Sequence, residues 1–271
     1  MNNSSNIVKL IILCIIAVCL VVITVMLLTN NFNFGFQKAK LLYDESYVEE
    51  IKNININVKS SNVEINPVDS DKLNVKVYDT EDRDISIKLK NDTLEIINNK
   101  SRVGFFLFGS QNPRVIIDVP KNNKYNLDIY GTSSDITVKS NMENIKINVT
   151  SGDIKLKDAN DVEIKVTSGD IIVGEVSNLL TSSTSGDVEV NKVTEKVNVE
   201  TTSGDIKIDE LSLTKNSKIK ATSGDVIIDK VNDIYIEGKA RSGDVDINKN
   251  NRHSDIELRI ETTSGDIEVE K

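Results

Sequence analysis

The motif Thr-Ser-Gly-Asp, or a close variant of it, recurs through the second half of the chain, as in INVTSGDIKL (Ile147–Leu156). Seven aspartates align on it, at spacings of 17, 17, 18, 20, 19 and 22 residues. They are Asp153, Asp170, Asp187, Asp205, Asp225, Asp244 and Asp266. A period of about 20 residues is typical of stacked supersecondary units. The clear copies span residues 132–271, beginning with the degenerate GTSSDITV, and they predict a stack of similar units.

Each repeat has the pattern of two short strands joined by a corner. Ile147 and Val149 alternate with polar residues before the motif, and Ile154 and Leu156 do so after it, which indicates half-buried strands. In this copy the inward-facing residues have odd numbers before Ser-Gly-Asp and even numbers after it. The chain must therefore turn within this motif, and glycine accepts a positive φ at such a corner. Ser151 is expected to fill the inside of the corner. The predicted turn glycines are Gly152, Gly169, Gly186, Gly204, Gly224, Gly243 and Gly265.

Two all-β architectures satisfy this pattern. In a β-solenoid each repeat is one coil, and equivalent strands stack in parallel about 4.8 Å apart. In a β-meander, Ser-Gly would be a hairpin loop, and the sheet would close as a barrel or pack as a sandwich. We favour the solenoid because a coil covers its own interior. Weaker copies such as NVKSSNVEINP, with Asn62 in the aspartate position, extend the predicted domain over residues 51–271.

The N-terminal region contains an uncharged apolar run, Leu10–Leu28. As a helix this run would be about 28 Å long, close to the thickness of the hydrocarbon core of a bilayer. No small-residue cleavage site follows it, so we predict an uncleaved signal anchor at residues 10–29. Residues 1–9 would be a cytoplasmic tail and residues 30–50 a juxtamembrane linker, which leaves the C-terminal domain extracellular on a single-pass membrane protein.

Composition narrows the partners and the setting. The formal net charge of −9 disfavours binding to nucleic acid. Both cysteines, Cys14 and Cys19, lie in the apolar run, so no disulfide is expected in the extracellular domain. Frequent Asn, Ile and Lys suggest an AT-rich coding sequence, which together with the absence of disulfides fits a low-GC Gram-positive bacterium.

A longer stretch of the sequence resembles a known family. RVIIDVPKNNKYNLDIYGTSSDITV followed by iterated TSGDI is similar to the bacterial putative-adhesin family of unknown molecular function, which includes an accessory protein of the Lia-type envelope-stress system. The resemblance covers most of the chain after residue 50. It implies a β-solenoid of the broad pectin-lyase-like type at the cell surface, and it brings no catalytic residues.

The aspartate column is the main candidate site. Stacked carboxylates about 5 Å apart repel one another, so something must offset their charge. In one interpretation each aspartate accepts backbone N–H bonds at its own turn. In a second, the seven aspartates from Asp153 to Asp266 hold Ca²⁺, which prefers oxygen ligands. In a third, the ridge binds a polymer. No other cofactor is expected.

Catalysis is not expected. The single histidine, His253, lies in the apparent loop NKNNRHSDIEL, and the absence of tryptophan argues against a polysaccharide-degrading enzyme. The stretch Phe105–Phe108 is predicted to be a buried strand or cap, or an exposed contact loop. The last strand, in TSGDIEVEK, is expected to be a sheet edge blunted by Glu268 and Glu270.

The sequence thus predicts a non-catalytic, adhesin-like binding or scaffold protein of the cell envelope, whose partner is an envelope polymer or a membrane or surface protein. A regulatory accessory of an envelope-stress sensing system is one alternative. A carbohydrate-active enzyme is another.

Overall fold

A computed structural model describes residues 39–79, 85–98, 113–248 and 250–270. These residues form 21 β-strands and contain no helix. In chain order the strands are β1 (Lys40–Tyr47), β2 (Asn53–Val58), β3 (Asn62–Val68), β4 (Leu73–Asp79), β5 (Ile85–Lys90), β6 (Thr93–Asn98), β7 (Arg114–Pro120), β8 (Asn126–Ser133), β9 (Ile136–Val138), β10 (Met142–Ser151), β11 (Ile154–Leu156), β12 (Ala159–Ser168), β13 (Ile171–Ser185), β14 (Val188–Ser203), β15 (Ile206–Leu211), β16 (Ser217–Ser223), β17 (Val226–Ile228), β18 (Tyr235–Ser242), β19 (Val245–Ile247), β20 (Glu257–Ser264) and β21 (Ile267–Val269).

Equivalent strands of successive repeats pair in parallel, which confirms the predicted solenoid. β11, for example, pairs in parallel with β9 on one side and with β13 on the other, whereas a meander would pair it antiparallel with β10. We call the strand before each corner the approach strand and the strand after it the exit strand. β13 and β14 each run from the exit position of one coil to the approach position of the next.

The corner is the glycine of each motif. All seven predicted turn glycines have φ between 119° and 146°, a region that residues with a Cβ rarely adopt. The expectation that Ser151 fills the inside of the corner is wrong, because Ser151 is only partly buried and its counterparts Ser168 and Ser203 are exposed. The Ser168 carbonyl accepts the N–H of Gly152 from the adjacent coil at 3.0 Å, so backbone rather than side chain occupies this position.

The interior is a set of apolar columns that run along the stack. The first residue of each exit strand belongs to one column whose inner members are 0 to 1% exposed. These members are Ile136, Ile154, Ile171, Val188, Ile206, Val226 and Ile267. Burial of each such side chain contributes about 1.5 to 3 kcal/mol to the free energy of unfolding, so the stack is held together mainly by contacts between adjacent coils.

The order of the coils in space differs from their order in the chain at both ends. Approach strands are stacked in the order β6, β2, β8, β10, β12, β13, β14, β16, β20, β18. Exit strands follow the order β7, β3, β9, β11, β13, β14, β15, β17, β21, β19. The last coil of the chain therefore lies between two others. The expectation that the final strand is a blunted edge is wrong, since β21 pairs with both β17 and β19.

Antiparallel strands cover the N-terminal end of the stack. β5 pairs with β6, β4 pairs with β7, and β1 pairs with β4. The linker predicted at residues 30–50 therefore needs correction, because Lys40–Tyr47 forms β1 and belongs to the folded unit. Tyr43 and Tyr47 of β1 pack against the core, and these contacts attach β1 to the folded unit.

Three sequence predictions fall outside the described residues. They are the cytoplasmic tail at residues 1–9, the transmembrane anchor at residues 10–29 and the Phe105–Phe108 stretch. Within the described part of the chain, no helix has the length and apolar character needed to cross a membrane.

A few buried hydroxyl groups interrupt the apolar columns, and substitution of one of them tests the packing of the interior. The Thr201 side chain is fully buried, and its Oγ1 has no hydrogen-bond partner among the described residues. We expect Thr201→Val to raise the free energy of unfolding by about 1 kcal/mol, because the near-isosteric change removes an unsatisfied polar group. Chemical denaturation measures it. The matched control is Thr202→Val at the neighbouring exposed position, which should change little, and a destabilised Thr201→Val would contradict the inward assignment.

Candidate functional site

The predicted aspartates form one continuous column on the outside of the corners. Asp187 and Asp205, for example, are exposed and follow glycines that lie directly above one another. The column begins with Asn62, continues through Asp135 and ends at Asp244. In space Asp266 precedes Asp244, as the coil order requires.

Backbone N–H groups bond the carboxylates of the column, but the donors come from a neighbouring coil. The N–H of Asp205 donates to Oδ1 of Asp187 at 2.9 Å, and the N–H of Asp225 donates to Oδ1 of Asp205 at 2.8 Å. The same bond recurs at every step, at 2.8 to 3.1 Å. The prediction that each aspartate accepts bonds at its own turn is thus wrong in detail: these bonds join coils, and they stabilise a close row of carboxylates.

The two ends of the column differ. At its start Asn62 substitutes for an aspartate, donating to Asp135 Oδ2 at 3.1 Å and accepting the Asp135 N–H at 3.2 Å. Arg114 lies in register with Asn62 on the next strand, and its guanidinium stacks on Tyr78, 4.5 Å from the ring centre. At the other end the carboxylate of Asp244 accepts no N–H from any described coil, because its own coil is the last in space.

The Ca²⁺ interpretation gains no support from this geometry. Among the described residues, no three His, Cys, Asp or Glu side chains are grouped as metal ligands. One oxygen of each inner aspartate is already bonded to a neighbouring coil, which accounts for the column without an ion. The calcium ladder stays a prediction.

Substitution of one column member tests the bond between coils. We expect Asp187→Ala to lower the free energy of unfolding by about 1 kcal/mol, because it removes a charge-assisted acceptor at an exposed position. Asp244→Ala is the matched control and should have almost no effect, since its carboxylate accepts no bond from a described coil. Urea denaturation of both variants gives the comparison. Equal losses in the two variants would contradict a role for the bond.

His253 occupies the loop between β19 and β20, as the sequence predicted. Its side chain is exposed, and its backbone N–H donates to Asn251 Oδ1 at 3.0 Å.

A groove lies on the outer face of the approach strands, away from the corners. It has a volume of about 620 Å³ and crosses the strands from β6 to β14. Two outward columns of side chains form its floor. In spatial order the first is Thr93, Asn53, Asn126, Asn144, Asp161, Asn178 and Lys196, and the second includes Asn55, Asp128, Lys146, Glu163, Leu180 and Asn198.

Amide side chains in the first column bond to one another along the stack. Asn126 donates to Asn53 Oδ1 at 3.0 Å, and Asn178 donates to Asp161 Oδ1 at 2.7 Å. Asn144 donates in turn to Asn126 Oδ1 at 2.8 Å. These bonds fix the direction of the amides and still leave donors and acceptors that face the groove.

Charges in the groove nearly balance. Asp128, Asp161 and Glu163 face Lys146 and Lys196. Hydrogen bonds from Lys165 and Lys146 hold the pKa of Glu163 below its ordinary value, so this carboxylate stays charged and paired. The exposed side chain of Leu180 adds an apolar patch to the floor. Such a surface suits an uncharged ligand with many hydrogen-bonding groups.

The sequence pattern pointed to the corner column and did not reveal this groove. A signal was present: Asn126, Asn144, Asp161 and Asn178 recur 18, 17 and 17 residues apart, as the corners do. Outward positions of any half-buried strand are polar, however, so amides there do not stand out.

Comparisons with known proteins identify a family and similar solved structures. A family model described as Toastrack DUF4097 matches residues 51–271. A solved structure described as a putative lipid binding protein from Parabacteroides distasonis has a TM-score of 0.50 at 16% identity, over 86% of this chain and 98% of that one. A putative adhesin from Bacteroides fragilis gives 0.47 at 16% identity, over 84% and 96% of the two chains. No curated protein matches the sequence.

Proposed function

The chain belongs to the Toastrack DUF4097 family, and we propose that it is a non-catalytic binding or scaffold protein of the bacterial cell envelope, with the groove as its contact surface. The membership confirms the resemblance that the repeat indicated. The proposal rests on one observation: in-register amide and charged side chains line a groove of about 620 Å³ across parallel strands.

The character of the groove favours a polymer as the ligand. Its lining repeats at each strand, about every 4.8 Å, so it offers a similar set of donors and acceptors many times along one direction. Bonds along the amide column hold these groups in place before a ligand arrives, which lowers the entropic cost of binding. An uncharged, hydroxyl-rich polymer of the envelope matches both the repetition and the near balance of charge.

The apolar run Leu10–Leu28 supports the proposed location. A helix of this length and composition would hold the chain in the cell membrane as a single-pass anchor, with the repeat domain on the outer surface of a Gram-positive cell.

Binding to insoluble wall polymer tests the proposal. The full-length protein in detergent is mixed with purified peptidoglycan sacculi, and the bound fraction is measured by sedimentation. The groove variant carries Leu180→Ser, Lys196→Ala and Asn198→Ala, which change the floor and leave the four asparagines of the first column unchanged. We expect it to bind at least tenfold more weakly, a loss of about 1.4 kcal/mol.

The control variant carries Asn148→Ala and Ser182→Ala, which are exposed on two of the same strands but lie outside the groove. It should bind like the wild type. Equal binding by the groove variant would refute the assignment of the groove. Release of soluble fragments from the sacculi by the protein would refute the non-catalytic role.

A further inference from the structure

The coil that ends the stack in space leaves one side of a strand unpaired. β18 pairs with β20, and no described strand lies on its other side. The interior is open there too. Val245 is 43% exposed, whereas its counterparts Val226 and Ile267 are 0% and 1% exposed.

Backbone hydrogen bonds show which groups of β18 face outward. The Tyr235 N–H donates to the Ile256 carbonyl, so Tyr235 and every second residue after it face β20. Ile236 faces the opposite way, and the Asn250 side chain bonds both its N–H, at 3.0 Å, and its carbonyl, at 2.7 Å. By the same alternation the N–H and C=O groups of Gly238 and Ala240 point away from β20. Within the described residues nothing bonds them.

Asn250 thus satisfies the outward backbone groups of β18 only at Ile236. Beyond it, the side chains of Val245 and Ile247 lean across Gly238, with Ile247 Cδ1 2.7 Å from the place that a Cβ on Gly238 would take. Ala240 and Ile247 are only partly buried. Free backbone groups beside exposed apolar side chains make a surface that readily accepts another strand.

The residues on the outer face of β18 identify a fitting partner strand. Glu237, Lys239 and Arg241 are all exposed there. When two copies of β18 run antiparallel with Gly238 opposite Ala240, each Glu237 faces an Arg241 of the other copy. The same register lets the free groups of Gly238 and Ala240 make four N–H···O=C bonds. Lys239 then meets its own copy on the two-fold axis, where both side chains can extend into solvent.

We propose that the chain forms a two-fold dimer by antiparallel pairing of β18 with β18 of a second copy, which also brings the exposed Val245 and the partly buried Ile247 of the two ends together. A head-to-tail stack fits less well, because antiparallel strands cover the opposite end. The dimer is independent of the proposed ligand. Because the groove lies on other coils, both copies keep it, and a dimer offers two grooves to one polymer.

Cysteine crosslinking tests the pairing and its register. In the full-length protein with Cys14 and Cys19 replaced by serine, Lys239→Cys places two cysteines on the axis as a non-hydrogen-bonded pair, with Cα atoms about 4.5 Å apart, inside the disulfide range. We expect most of the protein to run as a covalent dimer on non-reducing gels after mild oxidation. Glu237→Cys, on the same face but away from the axis, is the control, and it should form no disulfide and run as a single chain on the same gels.

Charge exchange provides a second, non-covalent measurement by analytical ultracentrifugation. Glu237→Lys and Arg241→Glu should each weaken self-association at least tenfold, and an equimolar mixture of the two variants should restore it, since their charges are then complementary. Thermal unfolding of each variant checks the fold. A monomeric wild type, equal crosslinking at both cysteine positions, or association that ignores the charge changes would each overturn the proposal.

Discussion

Gly204→Ala is expected to lower the free energy of unfolding by at least about 3 kcal/mol, the largest effect of any single substitution considered for this chain. Gly204 has φ of 131°, which strains any residue with a Cβ. A Cβ at this position would also lie 2.2 Å from the Gly186 carbonyl oxygen, which belongs to the backbone of the adjacent coil. The coils would have to separate there, which breaks the bonds on both sides of the corner. The midpoint of urea denaturation measures the loss.

Gly131→Ala is the matched control. Gly131 lies next to the degenerate corner and has no positive φ, and the nearest atom to its added Cβ is a side-chain oxygen, Ser134 Oγ, at 3.2 Å. A change below about 1 kcal/mol is expected there. Similar losses in the two variants would mean that the corner does not depend on glycine.

Near-complete disulfide formation is expected between Thr222→Cys and Thr263→Cys in a chain that lacks Cys14 and Cys19. Thr222 of β16 and Thr263 of β20 lie in register, between the pairs Ala221 with Thr262 and Ser223 with Ser264. Neighbouring strands are about 4.8 Å apart, and both side chains point outward, so the two sulfurs can meet. Mass spectrometry of peptides after mild oxidation measures the yield.

The control pair is Thr222→Cys with Arg241→Cys. These positions are closer in the chain but two strands apart in space, about 9.6 Å, which is beyond the reach of a disulfide. No crosslink is expected. The reverse result, with Thr222 joined to Arg241, would show that the coils follow the order of the chain.

The repeated pattern was enough to predict the coil, the corner glycine and the inward columns. The prediction succeeded because few residues other than glycine adopt φ above 100°, the value that the corner requires. It also succeeded because every copy of the repeat buries the same positions. Asn62 was placed correctly in the aspartate column for the same reason, as a polar acceptor at the equivalent position.

The order of the end coils could not be predicted from this pattern. All copies present nearly the same strand surface to their neighbours, so the last coil satisfies its contacts between β16 and β18 as well as at the end of the stack. One feature marks the place where the spatial order of the coils departs from the chain order. The longest spacing, between Asp244 and Asp266, contains the loop through which the chain passes back to the position between β16 and β18. A long loop alone does not say in which direction the chain goes.

The aspartate bonds and the groove were missed for a related reason. The Asp187 carboxylate could accept an N–H of its own turn or an N–H of the next coil. Which of the two it accepts depends on the distance and alignment between neighbouring coils, and the motif alone does not specify these. The groove likewise arises only when outward residues from several strands lie side by side, whereas each strand alone shows ordinary alternation.

The exchanged coils also bear on the time at which the fold can close. A chain that emerges from its N-terminus delivers β18 and β19 before β20 and β21, yet the earlier pair reaches the stack only through the later one. The coil with Asp244 therefore stays unpaired until β20 and β21 have been made. At the other end β2 and β3 are made first but need β6 and β7 on one side and β8 and β9 on the other. Growth of the stack can thus begin in the central coils. The N-terminal end can close once β9 (Ile136–Val138) has been made, whereas the other end closes only after β21 (Ile267–Val269).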